Sequence, residues 1–600
     1  MIKHEKRRYF ESFVKQENKN AHNLWKEIRK IYPDKKSENG VPLDISPEEF
    51  NDYFAEIGHC VADKIPQTNT CKEFLWKGLS SMYNFNMSPF SIHEVTSRLE
   101  MLKDRSSLDL LGFDAKLLRL GAEALSPSLT HIFNLSLLQA TVPADWKLSR
   151  VTPVYKGQGS KATKSNYRPI SVGIHVGKLI EKGVQAQLLD YLVLHDFISA
   201  EQSAYLKHHS AQTCLHKVVD DWLANINDDL ITAVCFLDVQ KCFDTINHDI
   251  LKFKLGKYGI IDNEFKWFSS YLSERRQVVV CNGKSSSKQN VTIGIPQGSI
   301  LGPSLFLLYV NDIVQYVNKG SCNLFADDTI IYSTGTTLQE VTGALQDSLD
   351  DVSYWYTRNK LTVNAGKSKS MLITQNKINK ELFKLFMDGE EIQQVNDTKY
   401  LGIYLDENIN WFAHLQKLHV KVMSKLAVLR RLSKFLPKNI LELIYKTTIL
   451  PCIDYADTVW GTCSVKGLKM AQRLQNAAAR VITGNYDYIN VRGEDLVKQL
   501  KWQTIAERQR FHTALLMFKC VNGLAPNYLS DQITLLRDTN MYQTRETNGL
   551  NVYTPFPRKD IFKRSFLYNG ATVWNSLPNF VQESDSIDDF KTNYKKHYFH

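Results

Sequence analysis

Two strand-length apolar runs in this chain end on carboxylates, and that placement constrains the fold more than any other feature. In Leu324-Phe325-Ala326-Asp327-Asp328-Thr329-Ile330-Ile331-Tyr332 an Asp-Asp pair sits between apolar segments. Such a pair reads as a tight hairpin turn, predicting strands over Asn323–Ala326 and Thr329–Ser333 that pair across it. A turn tip is normally solvated, so taken alone the doubled charge reads as a polar turn. The second run, Ile231-Thr232-Ala233-Val234-Cys235-Phe236-Leu237, ends on Asp238. Two strand-end acids folded side by side make a site for hard divalent cations, and oxygen-only sites of this kind favour magnesium. The interval between Asp238 and Asp327 is long enough for a strand–helix unit that brings the two strands together.

The chain has 600 residues, too many for one core, and two to four units are expected. A hydrophobic content of 43% with 11% aromatics argues against wholesale disorder. The net charge of +11 permits an anionic partner without demanding one. Ten cysteines lie scattered, without a Cys-x-x-Cys pair or zinc spacing, and read as thiols of a reducing compartment. The charged start Met1–Arg8 shows no secretory signal, and no apolar run reaches eighteen residues. The expectation is an intracellular protein of nucleus or cytoplasm, neither secreted nor membrane-bound.

Residues 1–90 read as a helical spacer, with a charge-rich break at Lys30–Asn39 and one helix over Ile45–Ile65 started by Ser46-Pro47. Helical spacing continues from Ser91 to Ala140, forming an N-terminal extension over 91–140. Trp146–Lys156 switches towards strand. Helices are expected at 178–195, 213–226, Ser304–Val314 and Thr337–Asn359, followed by two short strands. From about residue 408 the composition shifts to basic amphipathic helices, the main boundary. A helical module is expected over 460–530, with Trp502 and His512 in its core, and Trp574 is expected to be core further along.

Nucleotidyl transfer needs two cations roughly 3.5–4 Å apart, so carboxylates on neighbouring strands are their natural support. Asp238 and Asp327 would bridge them, with Asp328 beside them and the Val239 carbonyl as a further oxygen. Lys156 and Arg168 flank a polar loop and could clamp a triphosphate, Arg through its planar fork; read singly, both are solvated loop charges. Gly294-Ile295-Pro296-Gln297-Gly298 is a glycine-bracketed turn where Gln297 could bond a sugar or base, or simply the start of a helix. Phe243 could lie under the incoming sugar and exclude a 2′-hydroxyl, although an aromatic so placed is more often core. In His414–Leu429, Leu415, Leu418, Val422, Leu426 and Leu429 share one helical face while Lys417, Lys421 and Lys425 recur on another. With Arg430, Arg431, Lys434 and Lys438 following and Glu442 opposing, this is a basic stripe suited to a phosphate backbone, against the plainer reading of a solvated face.

Asn166-Tyr167-Arg168-Pro169-Ile170-Ser171, Leu237-Asp238-Val239-Gln240-Lys241-Cys242-Phe243-Asp244, Gly294–Pro303 and Phe325-Ala326-Asp327-Asp328 occur in the order found in reverse transcriptases. Their wording resembles that of non-LTR (LINE-type, Jockey-like) retrotransposons. The likeness continues through Leu361–Lys369, Lys399-Tyr400-Leu401-Gly402, Arg473–Arg480 and Val573–Pro578, and so runs from about residue 90 to the end. It implies an α/β (α+β) right-hand polymerase: fingers and palm over 141–407, a helical thumb over 408–460 and a helical C-terminal region over 461–600. It implies an RNA-directed DNA polymerase with two Mg²⁺ ions (Mn²⁺ as a substitute) on Asp238, Asp327 and Asp328. Its partners would be an RNA template, a DNA primer or target, and dNTPs. Lys156 and Arg168 would hold the triphosphate, Gln297 would sit by the sugar, and Phe243 would be the steric gate. Lys367 would donate a proton to leaving pyrophosphate, and Tyr400, Leu401 and Gly402 would grip the primer. Cys242 stands where alanine is usual, and Ser106–Gly112 is a distorted form of a glycine-bearing loop. Residues 1–90 are too short for the endonuclease that such elements place before the polymerase, so nicking would have to come from elsewhere. The alternative is a degenerate or co-opted copy that only binds nucleic acid. A group II intron or telomerase-type enzyme would share the palm, but the Trp574–Pro578 tail favours the LINE type.

Overall fold

A computed structural model describes residues 45–63, 76–77, 80–103, 108–538 and 549–599, together with Glu5 and Arg8. The charge-rich break at Lys30–Asn39, the chain start, and Ser106 and Ser107 of the distorted loop lie outside the described residues. The strands that position the site are β1 (Leu148–Tyr155), β2 (Tyr167–Gly173), β3 (Ile231–Leu237), β4 (Arg275–Cys281), β5 (Ser321–Phe325), β6 (Asp328–Gly335), β7 (Lys369–Ile373), β8 (Asp397–Tyr400) and β9 (Ile403–Asp406). The helices that frame them are α1 (Pro47–Ala62), α2 (Ala211–Asn227), α3 (Leu338–Arg358), α4 (Phe412–Leu432), α5 (Val465–Thr483), α6 (Ile505–Val521) and α7 (Phe566–Asn575). The result is the mixed α/β architecture the sequence implies.

The central sheet runs Gln393–Gln394, β7, β3, β6, β5. β3 pairs antiparallel with β6 in the register Leu237↔Thr329, and with β7 on its other side. Every residue of β3 is buried, because both faces are covered. Ile231, Ala233, Cys235 and Leu237 enter one core, with Val341, Leu345 and Trp355 of α3. Val234 and Phe236 enter another, with Trp222 and Leu215 of α2. A strand sandwiched in this way has no polar face, which is why 231–237 is an unbroken apolar run.

A second sheet joins β2, β1 and β4, with β1–β2 antiparallel and β1–β4 parallel. Helix α1 lies against it, started as expected by Ser46 in a reciprocal capping box with Glu49. Its Asn51 is buried and donates to Ser286 Oγ at 3.0 Å and the Ser287 carbonyl at 2.9 Å. In α4 all five predicted apolar positions are buried. A third core gathers Met517 of α6, Trp574 of α7, Phe590 and Tyr594. This region returns to α2, which covers the central sheet: Asp220 accepts the N–H groups of Phe566 and Leu567 at 2.9 and 3.2 Å.

Several expectations are corrected. The hairpin strands are Ser321–Phe325 and Asp328–Gly335, so the turn is Ala326-Asp327 and Asp328 opens a strand. The stretch from Ser91 to Ala140 is helical as expected, divided among its described residues into Ile92–Glu100, Ala115–Leu120 and Ala122–Leu138. The helix expected over Ser304–Val314 runs from Gly302 to Val310 and tightens into a 3₁₀ turn. Six strands, not two, follow α3 before α4, most of them two to four residues long. Such short pairings are fixed by their partners and carry little periodicity of their own. Trp502 is only partly buried, stacked on Tyr445 with ring centroids 4.3 Å apart and bonded to Glu442. His512 is also outside the core, holding Asp457 at 2.6 Å.

Candidate active site

The acids converge because of strand register. Leu237 pairs with Thr329, so Asp238, the next residue of that chain, lies at the same end of the sheet as Asp328. Asp327 sits beside them on the turn. The β5–β6 turn needs Ala326 at φ 58°, a left-handed conformation that costs an L-residue about 1–2 kcal/mol. Gln202 offsets that cost. Its buried side-chain oxygen accepts the Ala326 N–H at 3.2 Å and the Ala204 N–H at 2.9 Å. The flanking backbone adds Ser203 N–H to Leu324 O and Leu324 N–H to Glu201 O, both 2.9 Å. Residues 201–203 thus act as a short extra strand that braces the acid-bearing hairpin.

Asp238 is anchored from the other side. Its N–H donates to Ser368 Oγ at 3.2 Å, and its carbonyl accepts from Asn364 N–H at 2.8 Å. The neighbouring bond runs from Gln240 N–H to Thr362 O, so the bridge Val239↔Val363 leaves the Val239 carbonyl outside the ladder. The tips of all three acids are open to solvent, yet the groups lie in a cleft whose walls remove enough water to raise every one of their pKa values. Asp328 is pushed to about 6, first by this desolvation and then by Asp327 and Asp238. A trio of carboxylates beside a backbone oxygen offers only oxygen donors, the kind of set that hard divalent cations take.

Facing the acids is a cluster of cations. Lys156 follows β1 and Arg168 stands on β2, opposite Val154. Lys156 Nζ donates to the Ser165 carbonyl at 2.8 Å. Its pKa falls to about 8, chiefly through burial, then through Lys241, Arg168 and Lys367. Lys367 sits on the turn Asn364–Ser368 and acts on Asp238 as well as on Lys156. Four positive side chains crowded to this degree make a site for a polyanion.

The glycine-bracketed turn packs against both walls. A side chain at Gly294 (φ 83°) would meet the Asp244 carbonyl at 2.7 Å, and one at Gly298 (φ 118°) would meet the Ser171 carbonyl at 2.3 Å. Gln297 accepts Ser171 N–H through its backbone at 2.7 Å and donates its amide to Asp244 Oδ1 at 2.8 Å. Phe243 stacks on Phe306 with centroids 4.5 Å apart, and its carbonyl accepts from Ile295. At the β8–β9 turn the Tyr400 ring is buried beside Cys214, while Leu401 and Gly402 form the tip. On α4, Lys417 and Lys421 are exposed, as are Arg430 and Arg431 at its far end. Lys425 is partly committed elsewhere, donating to the Thr448 carbonyl at 2.6 Å.

Three contributors escaped the sequence reading. Lys241 stands three residues after Asp238, and nothing local set it apart. Asp244, partly buried, orients Gln297. Gln202 left no signal, because its partner is a backbone group of the distant hairpin. Among the described residues, the group of three possible ligands whose ligand atoms all lie within 4.8 Å of one another is Asp454, Asp457 and His512, elsewhere in the chain. Its members are already engaged, Asp454 by the Arg508 fork at 2.9 and 2.6 Å and Asp457 by His512 at 2.6 Å.

A sheet edge with three acids thus meets a cationic hairpin and a glycine-bracketed turn around one cleft. Residues 156–405 match the family described as reverse transcriptase (RNA-dependent DNA polymerase), and the chain carries that domain. Its relatives are proteins of non-LTR mobile elements. It is 27% identical over 394 residues to a probable RNA-directed DNA polymerase from transposon X-element of Drosophila melanogaster, covering 64% of this chain and 43% of that protein. It is 27% identical over 436 residues to the RNA-directed DNA polymerase from mobile element jockey of Drosophila funebris, covering 70% and 47%. A retrovirus-related Pol polyprotein from type-1 retrotransposable element R1 of Bradysia coprophila is 24% identical over 381 residues, covering 61% and 37%. The chain thus spans less than half the length of these relatives.

Proposed function

We propose that this chain is the polymerase of a non-LTR retrotransposon and extends a DNA primer on an RNA template with dNTPs. The observation that carries the reading is the opposition, across one cleft, of Asp238, Asp327 and Asp328 to Lys156, Arg168, Lys241 and Lys367. Bound at the acids and the Val239 carbonyl, two Mg²⁺ ions (or Mn²⁺) would lower the pKa of the primer hydroxyl and neutralise charge on the departing pyrophosphate. Lys156, Arg168 and Lys241 bind the triphosphate and orient its α-phosphorus towards the primer. Lys367 holds a proton within reach of the leaving oxygen. Phe243, braced on Phe306, excludes a 2′-hydroxyl, and Gln297, fixed by Asp244, contacts the sugar or base.

The buried Tyr400 ring supports the β8–β9 turn, whose tip at Leu401 and Gly402 carries the primer contact. Lys417, Lys421, Arg430 and Arg431 follow the phosphate backbone, with Lys425 in a lesser part. Such contacts confer salt dependence but little sequence preference. The protein works in the nucleus or cytoplasm. Among the described residues no helix is long and apolar enough to cross a membrane. The test is primer extension by Asp327→Asn: with folding intact, activity falls by about a thousandfold or more, as expected when a ligand to the reacting centre is lost. Retention of full activity would contradict the site.

A further inference from the structure

Helices α4 and α5 run side by side in parallel. Leu415 lies against Gly467 at their first ends and Arg430 reaches Tyr486 beyond their last. The loop after α5, Gly484-Asn485-Tyr486-Asp487-Tyr488-Ile489-Asn490-Val491-Arg492, exposes 44% of Tyr486, 68% of Tyr488 and 94% of Ile489. Three adjacent large apolar groups left in water call for a physical reason, since loops are ordinarily polar.

The loop is built to hold them there. Arg480 of α5 is 6% exposed, and its guanidinium donates to the Asp487 carbonyl at 3.0 Å and the Val491 carbonyl at 2.6 Å. The same guanidinium lies under Tyr488, 4.2 Å from the ring centroid. Asn485 accepts the Asp487 N–H at 2.9 Å, and Asp487 accepts the N–H groups of Ile489 and Asn490 at 3.0 and 2.9 Å. The acid in the loop is therefore spent on backbone amides, which hold its pKa down. Arg430 lies 5.9 Å from the Tyr486 ring, and Lys434 follows one turn later, both exposed. Glu494 and Asp495 are the nearest opposing charges in sequence, in the first turn of the next helix.

We infer that residues 484–492 form a stacking platform for unpaired bases of a nucleic-acid strand, with Arg430 and Lys434 on its phosphates. Rigid aromatic faces beside cations suit single strands, because every base offers a π-face and stacking needs no particular sequence. A helix of 21 residues is about 30 Å long, so the platform stands about that far from the end of α4 that follows β9. The inference rests on the proposed handling of nucleic acid, but not on catalysis.

The test is fluorescence anisotropy in EDTA without dNTPs, using an end-labelled, unstructured 30-nucleotide RNA and a blunt 8-base-pair RNA–DNA duplex. For Tyr486→Ala/Tyr488→Ala, binding of the 30-mer weakens by about tenfold or more, the worth of one or two stacked bases, while duplex binding changes less than twofold. Tyr486→Phe/Tyr488→Phe restores the affinity, which separates stacking from a general effect on folding. Unchanged 30-mer binding, an equal loss on both probes, or a change in oligomeric state without a change in RNA binding each overturns the platform. Should the wild-type chain fail to extend a primer while the alanine variant still loses the 30-mer, the polymerase reading fails and the platform stands.

Discussion

At the level of single residues, the site is a set of charges that the fold leaves unbalanced. Asp328 illustrates the consequence, with its pKa raised to about 6 by desolvation and by the two neighbouring acids. In the unfolded chain it titrates near 3.8. Between these values the folded state binds more protons than the unfolded one, so stability is lost as pH rises from about 4 to about 6. Asp328→Asn should therefore raise the thermal midpoint at pH 8 and leave it nearly unchanged at pH 4, as calorimetry without divalent ions can show. Protons compete for the same oxygens, so calorimetric affinity for Mg²⁺ or Mn²⁺ should weaken as pH falls through about 6. An affinity flat from pH 5 to 8 would argue against the acids as ligands. The acids were legible because Asp238 closes one strand-length apolar run and the Asp327-Asp328 pair stands between two others. Lys241 was not, since one lysine in a loop has no period, and its meaning comes from Lys156 and Lys367, which only folding brings near.

At the level of elements, the helices were easier to read than the turns. Ser46 and Thr337 each open a helix with a reciprocal capping box, and their sequences announce it. The hairpin was displaced by one residue for a tertiary reason. Nothing local recommends Ala326 for a left-handed conformation, but a distant glutamine satisfies its N–H and stabilises the tighter turn. This makes Gln202 a positioning residue. Gln202→Leu leaves the Ala326 N–H without that acceptor, at a cost of about 1–3 kcal/mol. Because the side chain reaches the acids only through the turn, kcat should fall while KM for dNTP changes little. Gln202→Glu, which keeps an acceptor oxygen, should recover part of the rate. A change confined to KM would assign Gln202 to substrate binding instead.

At the level of the whole molecule, regions distant in sequence meet around the two sheets. Helix α1 comes so close that a side chain at Gly58 would strike the Asp244 carbonyl at 2.2 Å, and its Tyr53 lies 5.8 Å from Lys241. The C-terminal region docks on α2, where Asp220 caps α7 and Asn227 accepts the N–H groups of Arg558 and Lys559 at 2.8 and 3.0 Å. Such contacts span more than 300 residues and leave no local pattern, which is why an apolar periodicity located the cores but not their mutual placement. Asp220→Ala should destabilise that docking by about 1–2 kcal/mol, the usual worth of a helix cap. Hydrogen exchange should then quicken in residues 560–599 while β3 stays protected, and uniform protection would show that the cap is not what holds the two together. The central claim concerns what the assembled cleft does. Its most direct test is extension of a DNA primer annealed to an RNA template by the wild-type chain, with dNTPs, in the presence and absence of Mg²⁺. The account predicts template-directed addition that requires the ion; a folded protein that binds the primed template and adds nothing at any Mg²⁺ or Mn²⁺ concentration would contradict it.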